Sequence, residues 1–150
     1  MTTLNHQSIS AGLQTWWRDQ FPLSVATAYP GLFINTETMS EWIEIQIDTW
    51  SRRPQRAIDK RLLDFSLTIH CFVKPTGDTK RIHVLTDAVR ETLAQRDIPI
   101  KNYDVSAETV IGFAKLFEIE VRDLSRNDFD SNKHRMFHSA LSCTGFAQEI

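Results

Sequence analysis

Apolar and polar side chains alternate with a period of two along three stretches of the chain, the pattern of a strand with one face in a core. In residues 42–50, Ile43, Ile45 and Ile47 oppose Glu44, Gln46 and Asp48. In residues 63–73, Leu63, Phe65, Leu67, Ile69, Cys71 and Val73 oppose Asp64, Ser66, Thr68, His70 and Phe72. Residues 110–121 set Ile111, Phe113, Lys115, Phe117, Ile119 and Val121 against Val110, Gly112, Ala114, Leu116, Glu118 and Glu120. Lys115 interrupts that apolar row, so the two halves of this strand are expected to pack differently. A closing antiparallel strand is predicted over residues 135–146, with Phe137, Ser139, Leu141 and Cys143 on one parity and a frayed 148–150 beyond it.

Two other stretches carry helical spacing. In residues 5–20, Ile9, Leu13, Trp16, Trp17 and Gln20 fall near one face, with Ser8 or Ser10 as candidate cap. Pro22 stops that helix, because proline disfavours helical backbone in the residue before it. In residues 79–95, Ile82, Leu85, Val89 and Leu93 recur every three or four positions, a helix made to lie on a sheet, capped by Asp78 or Thr79. Residues 22–40 read as a loop with an extended piece at 32–35, and 98–103 as a short strand that Pro99 confines to an edge. Lys74-Pro75-Thr76-Gly77-Asp78 and residues 124–133 read as turns. These elements predict a single α+β domain over residues 1–150: a mainly antiparallel sheet of four to five strands, two helices packed on one face, and a projecting basic hairpin with its tip at residues 51–61.

Composition adds exclusions. A chain of 150 residues can bury about two thirds of its unfolded surface and needs no metal or disulfide to fold. Seventeen basic and nineteen acidic residues, a net charge of -2, argue against affinity built on phosphate contacts. Cys71 and Cys143 lie in apolar strands without CxxC or Cys/His spacing, and read as buried thiols. The chain's first residues lack a basic and apolar leader, and its longest weakly charged stretch, residues 21–36, contains Pro22, Pro30 and Gly31. A cytoplasmic, soluble protein with no membrane partner is the expectation.

No phosphate-binding loop, GxSxG, HExxH or kinase pattern is present. His134 and His138 share a spacing of four without a third ligand to complete a metal site, and His70 and His83 read as surface side chains. Glu44 with Asp48, and Glu118 with Glu120, share strand faces. Such acids suit a solvated face, a pocket for acid/base work, or a channel wall that keeps a polyanion from adhering. The tryptophans Trp16 and Trp17 are consecutive on a helix and point about a hundred degrees apart, while Trp42 and Trp50 fall on the polar parity of their strand. At least two of them are expected either to face outward, where a second subunit would cover them, or to cap the core edges or pack under the 22–40 loop. Arg52, Arg53, Arg56, Lys60 and Arg61 make the hairpin tip a candidate for an acidic neighbour.

Element order and one local run then carry a resemblance. The run is Phe65-Ser66-Leu67-Thr68-Ile69-His70-Cys71-Phe72-Val73-Lys74-Pro75-Thr76-Gly77, leading into Ile82-His83-Val84-Leu85-Thr86-Asp87-Ala88-Val89-Arg90. With the N-terminal helix, the proline-containing crossing and the two long strands joined by an arginine-rich loop, it resembles tail terminator (tail completion) proteins of long-tailed bacteriophages. The resemblance implies a structural virion protein, not an enzyme and without a cofactor. It implies a hexameric ring that caps the tail tube, stops its growth and meets a neck or connector protein, with DNA only passing through the lumen. Another head-tail connector component, or a small-molecule-binding or enzymatic domain using Glu44, Asp48 and His70, are the alternatives.

Overall fold

A computed structural model describes residues 4–52, 62–74, 79–94, 97–102, 109–125, 129 and 135–150. The elements run α1 (His6–Gln20), β1 (Thr27–Ala28), β2 (Glu41–Arg52), β3 (Leu62–Val73), α2 (Lys80–Leu93), β4 (Ile98–Lys101), β5 (Val110–Asp123) and β6 (Phe137–Glu149). One six-stranded sheet in the order β1-β2-β3-β6-β5-β4 contains all the strands. The α+β class holds, with two corrections. The sheet has six strands, and it is mixed, because β1 pairs in parallel with β2. The extended piece of the 22–40 stretch is thus Thr27–Ala28, held by Ile43 N–H donating to Ala26 O at 2.9 Å, and not residues 32–35.

The two long strands form the expected antiparallel hairpin, from Glu41 opposite Val73 to Arg52 opposite Leu63. Residues 53–61, the basic tip, lie outside the described residues. So do residues 75–78, and with them the Pro/Gly turn and Asp78. β3 is central. Its alternate side chains from Leu63 to Val73 are all buried, and they share one core with Ile9, Leu13, Trp17, Leu85, Val89 and Leu93 of the helices.

Asn5, not Ser8 or Ser10, caps α1: its side-chain oxygen accepts from Ser8 N–H at 2.8 Å while Ser8 Oγ accepts from Asn5 N–H at 2.9 Å. Each partner satisfies a backbone donor that the helix leaves unpaired. β6 does not fray at 148, because Gln148 pairs with Leu62 on one side and Phe113 on the other.

Two bulges change which parity faces the core. In β2 the register slips between Ile47 and Thr49, leaving Asp48 as the extra residue and turning Trp50 onto the core face opposite Phe65. In β5 it slips between Phe117 and Glu120, with Glu118 at φ 57°, so that Ala114 and Leu116 face inward before the slip and Ile119 and Val121 after it. The expected division of this strand is therefore real, but the break falls at Glu118 rather than Lys115.

Cys71 and Cys143 are free, buried thiols, both pushed up to about 12 by burial. Folded-state pKa values above the unfolded value of about 9 mean that both thiols stay protonated in the native chain while the unfolded chain ionises. Stability is accordingly unaffected below pH 9 and falls as pH rises from 9 toward 12. We expect neither thiol to react with a thiol reagent at pH 8 until denaturant unfolds the chain, as read by absorbance of the released chromophore. Gly145 lies under Phe65, and a Cβ there would collide with the buried Phe65 ring and approach Leu116 Cδ2 to 3.0 Å. Gly145→Ala is expected to cost about 1–3 kcal/mol by overpacking, measured as a lower urea midpoint.

Candidate functional site

With both helices on the core side, the opposite face of the sheet must shelter its own large side chains. It does so at the end where β2 begins. Trp42, Phe72 and His138 occupy one cross-strand row, with Trp42 opposite Phe72 and Phe72 opposite His138. The Trp42 and Phe72 rings stack at 5.1 Å and the Phe72 and His138 rings at 4.3 Å. His70, two positions along β3, completes the cluster through a 2.9 Å contact between its Nδ1 and His138 Nε2. Its other nitrogen, Nε2, lies 3.3 Å from Gln46 Oε1. A carbonyl acceptor on that side assigns the proton of neutral His70 to Nε2, so His138 Nε2–H donates to His70 Nδ1. The pair is thereby committed to one another, and no group of three His, Cys, Asp or Glu able to hold a metal occurs among the described residues. His134 lies outside them, and His83 is exposed on α2.

The segment between β1 and β2 folds over this row. Tyr29-Pro30-Gly31-Leu32 is a tight turn, closed by Leu32 N–H donating to Tyr29 O at 2.9 Å, with Gly31 at φ 82° as a type II turn requires. Lys74 then pins the chain back onto the sheet: its Nζ donates to Thr36 O at 3.2 Å and Glu37 O at 2.8 Å. The result is a cleft of about 590 Å³ with Trp42, Phe72 and Met136 beneath it and Phe33, Ile34, Glu37, Glu44 and Phe129 around it. Glu44 is oriented by Trp42, whose indole N–H donates to its Oε1 at 3.2 Å. Phe33 is 97% exposed and Phe129 55%, large apolar side chains that this fold does not cover.

A shallower depression of about 420 Å³ lies further along the same face, lined by Asp48, Thr68, Glu118, Glu120 and Ser142. Thr68 donates to Asp48 and approaches Ser142 Oγ at 3.4 Å. Of the sequence-derived acid/base trio, Glu44 and His70 lie directly opposite each other on β2 and β3, His70 being engaged with His138, while Asp48 stands apart at the bulge. A second apolar area lies on β5 and β6, where Phe117 and Phe146 meet at 6.0 Å and Phe113 and Phe117 are 42% and 37% exposed.

The outward-facing tryptophans are a correction. Trp16, Trp17 and Trp42 are buried at 9%, 1% and 5% exposure, and Trp50 is half-buried against Phe65 at 5.6 Å and His6 at 4.3 Å. Trp16 and Trp17 both fit because Trp17 enters the core and stacks on Phe21 at 4.6 Å while Trp16 packs edge-on to it at 6.1 Å. The bulge at Asp48 accounts for Trp50, and the stack with Phe72 for Trp42. Exposed apolar surface is instead carried by Phe33, Phe113, Phe117 and Phe129, with Leu32, Val84 and Ile150, which alternation alone did not single out. Of the basic residues, Arg52 ends β2, and Arg53, Arg56, Lys60 and Arg61 lie outside the described residues. No described helix is long and apolar enough to cross a membrane.

No family model matches the chain, and no curated protein does. Among solved structures, one that carries no functional description matches over 98% of this chain and 97% of its own, with TM-score 0.60 at 11% identity. It shares the fold. A cryo-EM structure of an extracellular contractile injection system, the PVC sheath/tube terminator in its extended state, matches with TM-score 0.41 at 9% identity over 100% of this chain, which spans 58% of that protein. A likeness so distant transfers no function.

Trp42→Ala would remove the β2 end of the aromatic row and open a cavity beneath the 29–37 segment. We expect a loss of about 3–5 kcal/mol in urea denaturation, with loss of near-ultraviolet circular dichroism from the stacked rings.

Proposed function

We propose that this chain is a structural, non-enzymatic virion protein of the tail-terminator kind. In this reading identical copies, six to a ring, cap a tail tube, end its growth and present their other side to a neck or connector protein. Assembly takes place in the host cytoplasm, DNA passes through the lumen without adhering, and no cofactor or membrane is involved. The observation that carries this reading is the exposure of phenylalanine on a fold whose core is already complete. Phe33, Phe113, Phe117 and Phe129 are all more than a third exposed, and they fall in two areas, Phe33 and Phe129 at the rim of the cleft and Phe113 and Phe117 on β5. Distinct apolar areas on one chain suit a heterologous contact, in which one surface meets a different surface of the next copy and rotation closes a ring.

Two further features support it. The element order that resembles tail terminators is retained, from α1 through the long β2 and β3 hairpin to α2. The acids Asp48, Glu118 and Glu120 gather on the helix-free face, where like charge would keep a polyanion from adsorbing if that face lined a channel.

Negative-stain electron microscopy of the purified chain is expected to show closed rings, and sedimentation velocity a species several times the mass of one copy. Phe113→Ser with Phe117→Ser, at exposed positions, should leave the circular dichroism unchanged and weaken assembly by about tenfold or more, about 1.4 kcal/mol. A chain that stays monomeric at high concentration would overturn the ring.

A further inference from the structure

We propose that the cleft between the 29–37 segment and the sheet receives an arginine side chain from residues 52–61 of a second copy of this chain. The inference rests on the ring reading and names the contact that would build it.

The chemistry of the cleft selects the occupant. Its floor is the Trp42 and Phe72 stack, its rim holds Phe33 and Phe129, and the carboxylates of Glu37 and Glu44 stand among them. An aliphatic side chain would satisfy the rings and strand the acids, and a compact ammonium would do the reverse. A guanidinium is flat, cationic and weakly hydrated, so it lies against an aromatic face while donating to a carboxylate. Lys74, the cation among the described lining residues, already donates to Thr36 O and Glu37 O, and so is turned toward backbone. Glu44, fixed by the Trp42 indole, stands beside the aromatic floor.

The chain supplies the complementary segment. Between Arg52 and Arg61 it carries four arginines and one lysine against a single acid, Asp59. Tether length then disfavours delivery within one copy. The cleft adjoins Trp42 at the start of β2, whereas residues 53–61 are tethered at its far end, between Arg52 and Leu62, which belong to neighbouring strands. Strand residues rise about 3.3 Å each, so those ten steps cover about 33 Å. A nine-residue segment held at both ends extends about 18 Å at full stretch. The backbone of the segment thus stops short of the cleft of its own copy, and the contact we propose is made between copies, the far end of one hairpin against the near end of the next. Such a contact is head-to-tail, and repeats until it closes.

The test uses the full-length chain and two variants with substitutions at exposed or loop positions: Phe33→Ser with Glu37→Lys in the cleft, and Arg53→Glu with Arg56→Glu in the segment. Each alone is expected to weaken self-association by about tenfold or more in sedimentation velocity, with circular dichroism unchanged. Mixed in equal amounts, the two should form a dimer that grows no further, since one intact cleft and one intact segment remain between them. A labelled peptide of residues 51–61 should bind the segment variant, whose cleft is intact, and lose about tenfold in affinity when its arginines are replaced by alanine. If the wild-type chain forms rings that neither variant weakens, or if the alanine peptide binds as tightly as the native one, the docking proposal is overturned and the ring reading stands. If the wild-type chain stays monomeric while the native peptide binds its cleft in an arginine-dependent way, the ring reading fails and the cleft's preference stands.

Discussion

The constraint from which the rest of the structure follows is a sheet with helices on one side only. β3 runs through its middle with every inward side chain from Leu63 to Val73 buried, and α1 and α2 saturate that face. No described helix covers the other face. Its large side chains are sheltered instead by stacking on one another and by the loop that Lys74 fastens to the end of β3. The aromatic row, the cleft and the exposed phenylalanines all follow from this asymmetry. Removing hydrocarbon from water stabilises about 25 cal/mol per Å², and a one-sided sandwich leaves some of that gain unrealised in an isolated copy.

Much of the fold was legible from alternation and helical spacing, because those periods are imposed directly by backbone geometry. The strand sets of Ile43, Ile45 and Ile47 and of Leu63 through Val73, and the helix carrying Ile82, Leu85, Val89 and Leu93, appear where the pattern places them. Where the pattern failed, a local backbone event had displaced it. A single extra residue at Asp48 moved Trp50 from the wet face to the core. The two-residue β1 was too short to have a period and is defined only by its partner. The cap of α1 went to Asn5 because a reciprocal bond with Ser8 satisfies two donors where either serine alone would satisfy one.

The site was less legible, for a different reason. Sequence spacing identifies which residues share a face but not which neighbouring strand they meet. His138 lies far along the chain from His70, and the pairing of β3 with β6 brings them together. That same pairing builds the Trp42, Phe72 and His138 row, so His70, which reads as a surface side chain, and His138, which reads as half of an incomplete metal site, belong to an aromatic cluster. Tryptophan, chosen for size, was the residue best worth burying, whereas phenylalanine on the 29–37 segment and on β5 carries the apolar surface that remains.

The bulge at Asp48 also has a mechanical meaning. An extra residue on one strand bends it and tightens the local right-handed twist, so the outer third of the β2 and β3 ribbon leaves the plane set by its inner part. Just beyond the bulge Trp50 packs between Phe65 and His6, which ties the turned strand to the core. The heading of the arm is set by the same residue count that seats the indole.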